Sequence, residues 1–488
     1  MKAKKIIALL TAATLTVGML AGCGTQKETS EPEKTGGEGT EETSESAPEK
    51  TGDAAASGQT VKIFTANVGG KDEEEMKLFA EELGKATGYE VIMEKPAEDY
   101  NKLLIQKLQN GETYDLIYLN HKDMLDLHEQ GALTDITDKV KGSDIMMNNI
   151  DEQEWKDIEV DGKYFAGFSK KEVFIPVNIN EVHLANAGID IATIEPTLDG
   201  YYNVFKQLKE ANTDPTYYPL DIILSETWDI QPWMAAVGVK GGVHVDETDG
   251  KTYAAYAQDE TTEVWEWFKK LYQEGLLDPA CAIDKTADMR AKMGSSSQLI
   301  SVKADWLAWA GLHNAQAQAD GVSEEEYKIS VLPGIKSPDG DYMIRKGNAS
   351  LWGIPVNAEN PDGAFAVLEY FATQEGGELL SYGIEGHDYI VDGDKKELTE
   401  IGIEHGKDHG APFPIYKNFE STFGYNPGVE EGLQYEQYAS IEMPMASEAD
   451  YKEIVGKWGV RIVKDEVSVA EALQGMREEL VARGVTEK

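Results

Sequence analysis

Three short apolar runs alternate with two amphipathic stretches between residues 61 and 120, and this alternation restricts the fold more than any other feature. The runs begin at Val61, Tyr89 and Tyr114. Residues 116–119 are Leu-Ile-Tyr-Leu, with no polar alternation, which is typical of a strand covered on both faces. The order strand, helix, strand, helix, strand predicts a parallel sheet of the α/β class.

Capping residues predict where several helices begin. Asp72 precedes three glutamates, which are favoured at the positive end of a helix. Ser468 and Glu471 form a capping box, and the pair Asn360-Pro361 is typical of another helix start. The apolar positions predicted to face the core in five helices are Met76, Phe79, Ala80 and Leu83; Tyr100, Leu104 and Leu108; Val264, Trp265, Phe268, Leu271 and Tyr272; Phe365, Leu368 and Phe371; and Val469, Leu473, Met476 and Leu480.

A basic and then apolar leader opens the chain. Three lysines lie within the first five residues, and the apolar stretch 6–20 is too short for a comfortable membrane span. Leu-Ala-Gly-Cys at 20–23 then matches a bacterial lipobox. The sequence therefore predicts a lipoprotein signal peptide over 1–22 and a diacylglycerol on the thiol of Cys23. An ordinary signal peptide with a chance cysteine is the alternative.

A polar tract follows the leader, and it consists almost entirely of Glu, Thr, Ser, Gly, Pro, Lys and Ala. Because it has no hydrophobic period, residues 23–59 are predicted to be a disordered, acidic tether. Cys281 is the second of the two cysteines. Once Cys23 is lipidated, no intramolecular disulfide is possible, so the folded body depends on its core.

Charge argues against several classes of partner. The chain has 88 acidic and 45 basic residues and a formal charge of −43, which disfavours nucleic acid and anionic membrane surfaces. The sequence lacks the motifs of phosphate-binding loops, zinc metalloproteases and serine hydrolases. With so many carboxylates, pairs of them occur by chance and do not indicate acid–base catalysis.

Two segments resemble metal sites and have plainer interpretations. His405 and His409 would lie on one side of a helix and could share a metal, but neighbouring glycines favour a solvated loop. The acidic stretch 243–256 lacks the ligand spacing of a calcium loop. Asp249-Gly250 within it is therefore predicted to be a hairpin turn.

Aromatic residues are more informative about binding. Five tryptophans lie in or beside segments that contain Gly, Pro, Asp or Ser: Trp228, Trp233, Trp306, Trp309 and Trp352. Indole faces stack well on sugar rings, and nearby carboxylates and amides bind hydroxyl groups. Packing between domains is the alternative role for these rings. Trp265, by contrast, belongs to a helical stripe and is predicted to be core.

Several stretches, taken in order, resemble the family 1 extracellular solute-binding proteins of ABC importers, the class that contains maltose-binding protein. The resemblance covers about 60–488 and is greatest to the large Gram-positive lipoprotein branch associated with sugar uptake. The stretches that carry it are GETYDLIYLN (111–120), IPVNINEVHLANAGI (175–189), PTLDGYYNVFKQLKEAN (196–212), the run from DGKTYAAY to GLLDP (249–279), SVKADWLAW (301–309) and YGIEGHDY (382–389).

This resemblance implies two α/β lobes that are joined by crossing hinge strands and enclose a solute cleft. Residues 60–172 and 345–395 are expected to form lobe one. Residues 173–344 and 396–488 are expected to form lobe two.

The resemblance also implies where solute binds. The positions that match cleft-facing residues of the family are Asp305, Trp306, His387 and Tyr389. Ligands of open α/β sheets bind beyond the carboxyl ends of strands, which adds Asn67, Asn120 and His121. Local sequence alone adds Trp228, Trp233, Trp309 and Trp352.

The implied function is a lipid-anchored, non-enzymatic receptor on the extracellular face of a cell membrane. It is expected to capture a carbohydrate, in particular an oligosaccharide, and to deliver it to the permease subunits of an ABC importer. No cofactor or metal is expected, and membrane contact is limited to the lipid anchor. A peptide or other small-solute receptor of the same fold is the first alternative. A surface glycan-degrading enzyme and a structural adhesin are the others.

Overall fold

The computed structural model describes residues 60–66, 68–69, 72–97, 99–224, 227–347, 350–393, 395–405, 413–445 and 447–488, and these belong to one compact unit. The predicted leader, the tether, Cys23 and Asn67 lie outside the described residues. None of the described helices is long and apolar enough to cross a membrane.

The strands are β1 Thr60–Phe64, β2 Glu90–Glu94, β3 Leu116–Leu119, β4 Gly167–Lys170, β5 Phe174–Ile175, β6 Val177–Asn180, β7 Tyr218–Leu220, β8 Val243–Val245, β9 Thr252–Ala254, β10 Ile300–Ala304, β11 Ile329–Leu332, β12 Ile344–Lys346, β13 Ser350–Gly353, β14 Tyr389–Asp392, β15 Lys395–Leu398 and β16 Ala439–Ile441. The helices are α1 Glu73–Thr87, α2 Tyr100–Gln109, α3 His121–Glu129, α4 Thr137–Gly142, α5 Asp144–Asn149, α6 Glu152–Ile158, α7 Glu181–Asn186, α8 Leu198–Ala211, α9 Gln231–Met234, α10 Thr262–Gln273, α11 Thr286–Met293, α12 Leu307–Ala319, α13 Pro361–Phe371, α14 Gln374–Tyr382, α15 Glu400–His405, α16 Val429–Leu433, α17 Glu448–Val463 and α18 Val469–Ala482.

The first sheet has five strands in the order β2-β1-β3-β13-β4. β1 is parallel to both β2 and β3, which confirms the parallel arrangement predicted from residues 61–120. β13 lies between β3 and β4 and is antiparallel to both. A central position of this sheet is therefore filled by residues from far along the chain.

The core of the first sheet follows the predicted pattern. Asp72 caps α1, and its carboxylate accepts hydrogen bonds from two amides of the first turn at 3.0 Å. Leu116, Ile117 and Leu119 of β3 are fully buried. Complete burial of one such side chain contributes about 1.5–3 kcal/mol, so β3 stabilises this half of the molecule strongly.

The second sheet has four strands in the order β11-β6-β10-β7. β10 is parallel to β7 and antiparallel to β6. Its core contains the fully buried Trp265, whose indole N–H donates to the carbonyl oxygen of Tyr256 at 3.1 Å. Trp265 is thus a core residue, as the stripe on α10 predicts.

A small third sheet, β16-β12-β5, lies in the connections between the other two, and we call it the crossover sheet. β5 follows β4 of the first sheet and precedes β6 of the second. β12 follows β11 of the second sheet and precedes β13 of the first. Because β5 and β12 pair with each other, the chain crosses between the two large sheets through hydrogen-bonded strands.

The predicted turns and caps have mixed outcomes. β8 and β9 form an antiparallel hairpin, and Gly250 has a positive φ of 73°, which confirms the turn. α18 begins at the capping box of Ser468 and Glu471, as predicted. The expected loop over 402–410 is wrong for residues 402–405, which belong to α15, and residues 406–410 lie outside the described residues. His409 and the side chain of His405 lie outside the described residues.

Residues after 395 pack with the first core over part of their length. β15 pairs with β14, and Ile415 is buried in the core of the first sheet. The rings of Phe419 and Phe423 lie 6.3 and 4.2 Å from that of Tyr382 on α14. The boundary expected at 395 assigns Ile415, Phe419 and Phe423 to the second lobe.

Candidate functional site

Carboxyl ends of strands from the two large sheets meet at the crossover sheet. β4 ends at Lys170, and after β5 the chain enters β6 at Val177. Val177 pairs with Ala304, the last residue of β10, because β6 and β10 are antiparallel. The residues that follow β4 and β10 therefore lie on opposite sides of one junction. This is the edge at which open α/β sheets bind ligands, and we take it as the candidate site.

Trp306 lies at this junction, as predicted. Its indole packs on the backbone of Gly347, where an added Cβ would lie 2.8 Å from two ring carbons. The same added Cβ would lie 3.0 Å from Cβ of Glu172, so indole, glycine and glutamate are close neighbours. Glu172 follows β4 and Gly347 follows β12, which places the ring beside both crossings. Trp306 as a whole is half-buried and packs against the core cluster that contains Ala304 of β10.

The structure corrects the role of Asp305, which is fully buried. Its two carboxylate oxygens accept hydrogen bonds from Nε and Nη2 of Arg290, both at 2.8 Å. Lys303 Nζ donates to it at 2.5 Å, and the backbone N–H of Trp306 donates at 2.8 Å. With both oxygens engaged, Asp305 holds its neighbours in place and presents no surface to a sugar hydroxyl.

Burial and charge fix the ionisation of this cluster. Burial alone would raise the pKa of Asp305, but Lys303 and Arg290 outweigh it and hold the pKa below its usual value. Burial lowers the pKa of Lys303 against the attraction of Asp305. His313 Nε2 lies 3.2 Å from Lys303 Nζ, and burial together with that ammonium lowers the pKa of His313 to about 3. His313 is therefore neutral and accepts a hydrogen bond from the lysine.

Trp309 and Arg290 form a stacked pair beside this cluster. The guanidinium carbon lies 3.8 Å from the centroid of the indole, within the range of a cation–π contact. Trp309 is partly exposed, and its backbone N–H donates to the carbonyl oxygen of Trp306 at 2.9 Å. The fold thus brings Asp305, Trp306 and Trp309 together, as the sequence predicts, and adds an arginine to them.

A cavity of about 130 Å³ opens at the end of β4 in the first sheet. Ser169, Lys170 and His387 line it. Ser169 Oγ and His387 Nε2 are buried and have no hydrogen-bond partner among the described residues. His387 therefore lies at the candidate edge, as predicted. Tyr389 is buried, with its ring 5.3 Å from that of Phe423, so it has little surface for the predicted solute contact.

Asn120 and His121 follow β3 at the same edge and differ in exposure. Asn120 is exposed and caps α3, where its Oδ1 accepts a hydrogen bond from the amide of Asp123 at 2.8 Å. His121 is only 2% exposed. The amide of Asn120 is accessible to a solute, and the buried imidazole of His121 is not.

Two of the predicted tryptophan contacts are wrong. Trp233 is fully buried in the second core, 5.1 Å from the ring of Tyr201. Trp352 is fully buried in β13, 5.6 Å from the ring of Tyr118. Neither ring has any surface for a solute, because each fills the interior beside its own sheet. Trp228 belongs to the short helical turn Thr227–Asp229, and its side chain lies outside the described residues.

Sequence reasoning missed Arg290, Ser169 and Lys170. Ser169 and Lys170 end β4, and the carboxyl-end rule that selected Asn120 would have selected them had β4 been recognised as a strand. Arg290 lies on α11, 15 residues before Asp305, and no local pattern marks that pairing. Its role emerges only when α11 packs beside β10.

Within the described part of the chain, one group of three carboxylates has ligand atoms within 4.8 Å of one another: Asp221, Asp278 and Asp284. Lys292 Nζ contacts all three, at 3.2 Å from Asp221, at 2.6 Å from Asp278 and closely at Asp284. Burial raises the pKa of Asp221 to about 7, although the ammonium opposes this. The chain's own lysine therefore occupies the position that a metal ion would take.

Two α/β sheets joined by paired crossover strands, with aromatic and polar side chains at the shared edge, define a two-lobe solute-binding fold. The sequence profile of the bacterial extracellular solute-binding proteins matches residues 79–381, and the protein belongs to this family. Members of the family bind solutes, so the protein is a binding protein rather than an enzyme.

Individual relatives are distant in sequence. Lipoprotein LipO of Bacillus subtilis is 22% identical over 364 residues, which are 70% of each chain. The cyclic alpha-maltosyl-1,6-maltose binding protein of Arthrobacter globiformis has a TM-score of 0.63 at 13% identity, over 87% of this chain and 99% of its own. The ABC substrate-binding protein Lmo0181 of Listeria monocytogenes, solved with cycloalternan, has a TM-score of 0.61 at 13% identity, over 87% and 98%.

Proposed function

We propose that this protein is a lipid-anchored receptor that captures an oligosaccharide at the crossover edge and delivers it to an ABC importer. The observation that carries the proposal is the half-buried Trp306, whose indole lies against Gly347 and whose amide donates to the buried Asp305. A rigid indole face suits the apolar face of a sugar ring. Relatives of the same fold are a cyclic maltose-type saccharide binder and a protein solved with cycloalternan, which supports a carbohydrate as solute.

We further propose that the two cores belong to lobes that close on the solute. In this division lobe one comprises 60–172 and 345–423, and lobe two comprises 173–344 and 424–488. The pairing of β15 with β14 and the burial of Ile415 support the assignment of 396–423 to lobe one. A solute that contacts both lobes favours the closed state, and that state docks on the permease.

Binding is tested by thermal-shift and titration calorimetry with cycloalternan, maltotetraose, an alginate tetrasaccharide and a tetrapeptide. A ligand present at 100 times its Kd adds about 2.7 kcal/mol to the free energy of unfolding. We expect at least one saccharide to raise the melting temperature and the tetrapeptide to have no effect. Stabilisation by the peptide alone would replace the carbohydrate with a peptide as solute.

Lobe closure is tested by small-angle scattering with and without a saturating saccharide. We expect the radius of gyration to fall on binding, because the lobes approach each other around the crossover sheet. An unchanged radius at saturation would show a rigid cleft and contradict the closing mechanism.

The lipid anchor is tested at Cys23. Cys23→Ala is expected to release the protein from membranes into the medium, because the thiol is the proposed acylation site. LipO, the Bacillus relative, is named a lipoprotein, which supports this proposal. Intact-mass spectrometry of the wild-type protein should show an acyl mass, and a mature protein without one would contradict anchoring.

A further inference from the structure

We propose that Arg290 is a solute-contacting residue of the second lobe and that Asp305 is its positioning residue. This inference rests on the proposed function. The chemistry that Arg290 would recognise is a pair of neighbouring oxygen acceptors on a sugar. Vicinal hydroxyl groups and the carboxylate of a uronic acid both supply such a pair.

The guanidinium has a free edge. An arginine presents five N–H groups in a rigid fork, and two flat edges of that fork each offer a parallel pair of donors. Asp305 occupies the edge formed by Nε and Nη2, with both bonds at 2.8 Å. The edge formed by Nη1 and the second N–H of Nη2 remains, and Nη1 has no hydrogen-bond partner among the described residues. The side chain keeps 19% of its surface exposed.

The free edge is held rigidly. Asp305 fixes the plane of the guanidinium from one side, and the indole of Trp309 lies under its face at 3.8 Å. Asp305 is itself immobilised by Lys303 and by the amide of Trp306. A donor pair that is already oriented loses little conformational entropy when a solute binds, so its hydrogen bonds contribute more of their strength to affinity.

The guanidinium is linked to Trp306 through both of its own contacts. Asp305, which pairs with the guanidinium, directly precedes Trp306 in sequence. Trp309, which stacks on the guanidinium, donates its backbone N–H to the carbonyl oxygen of Trp306. A sugar ring that stacks its face on an indole presents hydroxyl or carboxylate oxygens at its rim. Through these two links Arg290 combines partial exposure with a pair of donors that has no partner among the described residues, and we infer that a sugar on Trp306 can reach it.

The test compares Arg290→Gln and Arg290→Lys with the wild type by titration calorimetry against cycloalternan and against an alginate tetrasaccharide. Hydrogen bonds to a charged group predict at least a tenfold rise in Kd for Arg290→Gln with the saccharide that binds. Arg290→Lys keeps the positive charge and loses the paired donors, so its Kd should lie between those of the wild type and Arg290→Gln. If Arg290→Gln loses affinity only for the alginate tetrasaccharide, Arg290 binds a sugar carboxylate. If it loses affinity for cycloalternan, Arg290 binds sugar hydroxyl groups.

Arg461→Gln is the matched control. Arg461 also stacks on an indole, 4.1 Å from the centroid of Trp458, and it lies on α17, which packs on α10 and α18. This variant should leave Kd unchanged. Melting temperatures of all variants separate loss of binding from loss of folding.

A double-mutant cycle tests Asp305 as a positioning residue. Asp305→Asn should weaken binding in the wild-type background and should have little further effect when Arg290 is already Gln. Equal effects of Asp305→Asn in both backgrounds would overturn the positioning role. Saccharide binding that Arg290→Gln leaves unchanged would overturn the whole inference and leave the proposed function intact. Failure of the wild type to bind cycloalternan, maltotetraose and the alginate tetrasaccharide would overturn both.

Discussion

The two edges that meet at the crossover sheet differ in how a buried carboxylate on one and a buried hydroxyl and imidazole on the other are paired. On the second-lobe side, Asp305 receives hydrogen bonds from Arg290, from Lys303 and from the amide of Trp306. On the first-lobe side, Ser169 Oγ and His387 Nε2 line a cavity without partners among the described residues. The buried carboxylate of Asp305 is saturated by its neighbours, whereas the buried hydroxyl of Ser169 and imidazole of His387 have unused hydrogen-bonding capacity. We call the two edges saturated and unsaturated after these groups alone, since Nη1 of Arg290 and Nε1 of Trp309 at the saturated edge have no partner among the described residues.

This difference separates two tasks in solute binding. Buried polar atoms in folded proteins are nearly always paired with protein or water, so the partners of Ser169 and His387 are expected to be water or solute. The second edge offers a preorganised indole and guanidinium. A solute would thus meet preorganised side chains in one lobe and, in the other, buried polar groups that are bound to water until the solute replaces it.

The largest expected loss of stability comes from a substitution at the saturated edge. Asp305→Ala should lower the free energy of unfolding by about 3–5 kcal/mol, because it leaves the buried Lys303 ammonium without its carboxylate. Denaturant titration of the apo protein measures this loss. A change below 1 kcal/mol would show that the cluster is not the stabilising centre of its edge.

Trp306→Ala should act on binding rather than on folding. Loss of the indole contact is expected to cost about 1.5–3 kcal/mol of binding free energy, roughly a ten- to hundredfold rise in Kd. Trp265→Ala is the control, since truncation of that core ring should cost about 3–5 kcal/mol of stability. Calorimetry and apo melting curves distinguish the two. Early melting with normal binding in Trp306→Ala would make Trp306 a core residue.

His313 gives the saturated edge a pH dependence. The pKa of His313 is about 3 in the folded protein against about 6.5 unfolded, so the unfolded chain gains a proton first as the pH falls. The stabilisation is complete above about pH 6.5 and is lost progressively below it, by roughly 2 kcal/mol at pH 5. His313→Gln should lose less stability than the wild type between pH 7 and pH 5. Parallel profiles for the two proteins would argue against a neutral, buried imidazole.

The smallest effect is expected on the unsaturated edge. Ser169→Ala removes a buried hydroxyl that has no partner among the described residues, so stability should change by less than about 1 kcal/mol. The same variant should weaken saccharide binding measurably if the solute supplies the missing partner. A large loss of stability in the apo protein would show that Ser169 is already bonded, and the contrast between the edges would disappear.

Much of the fold could be predicted because local signals and the core agree. The capped helix after Asp72, the unbroken apolar run of β3 and the stripe containing Trp265 all appear in the structure at the predicted positions. Each depends on residues close in sequence. The place of β13 between β3 and β4 could not be predicted, since it depends on pairing across about 180–230 residues.

The site was less predictable than the fold. Composition near a tryptophan does not distinguish an exposed ring from a buried one, and Trp233 and Trp352 were misassigned for that reason. Asp305 was located correctly and given the wrong role. Its position next to Trp306 in sequence does not show which basic side chains will pair with its carboxylate. The pairing of Arg290 with Asp305 depends on the packing of α11 beside β10, which the hydrophobic periodicity of the sequence does not predict.

The late arrival of β13 determines the order in which the protein can be completed during synthesis. β4 ends at residue 170, and β13 begins at residue 350. At about 5–20 residues per second, roughly 10–35 s pass between the emergence of these two strands from the ribosome. Through that interval β3 and β4 expose unpaired edges that can pair wrongly with other chains. The first sheet therefore stays incomplete until residues 350–353 have been made, although β1, β2 and β3 pair with one another without them.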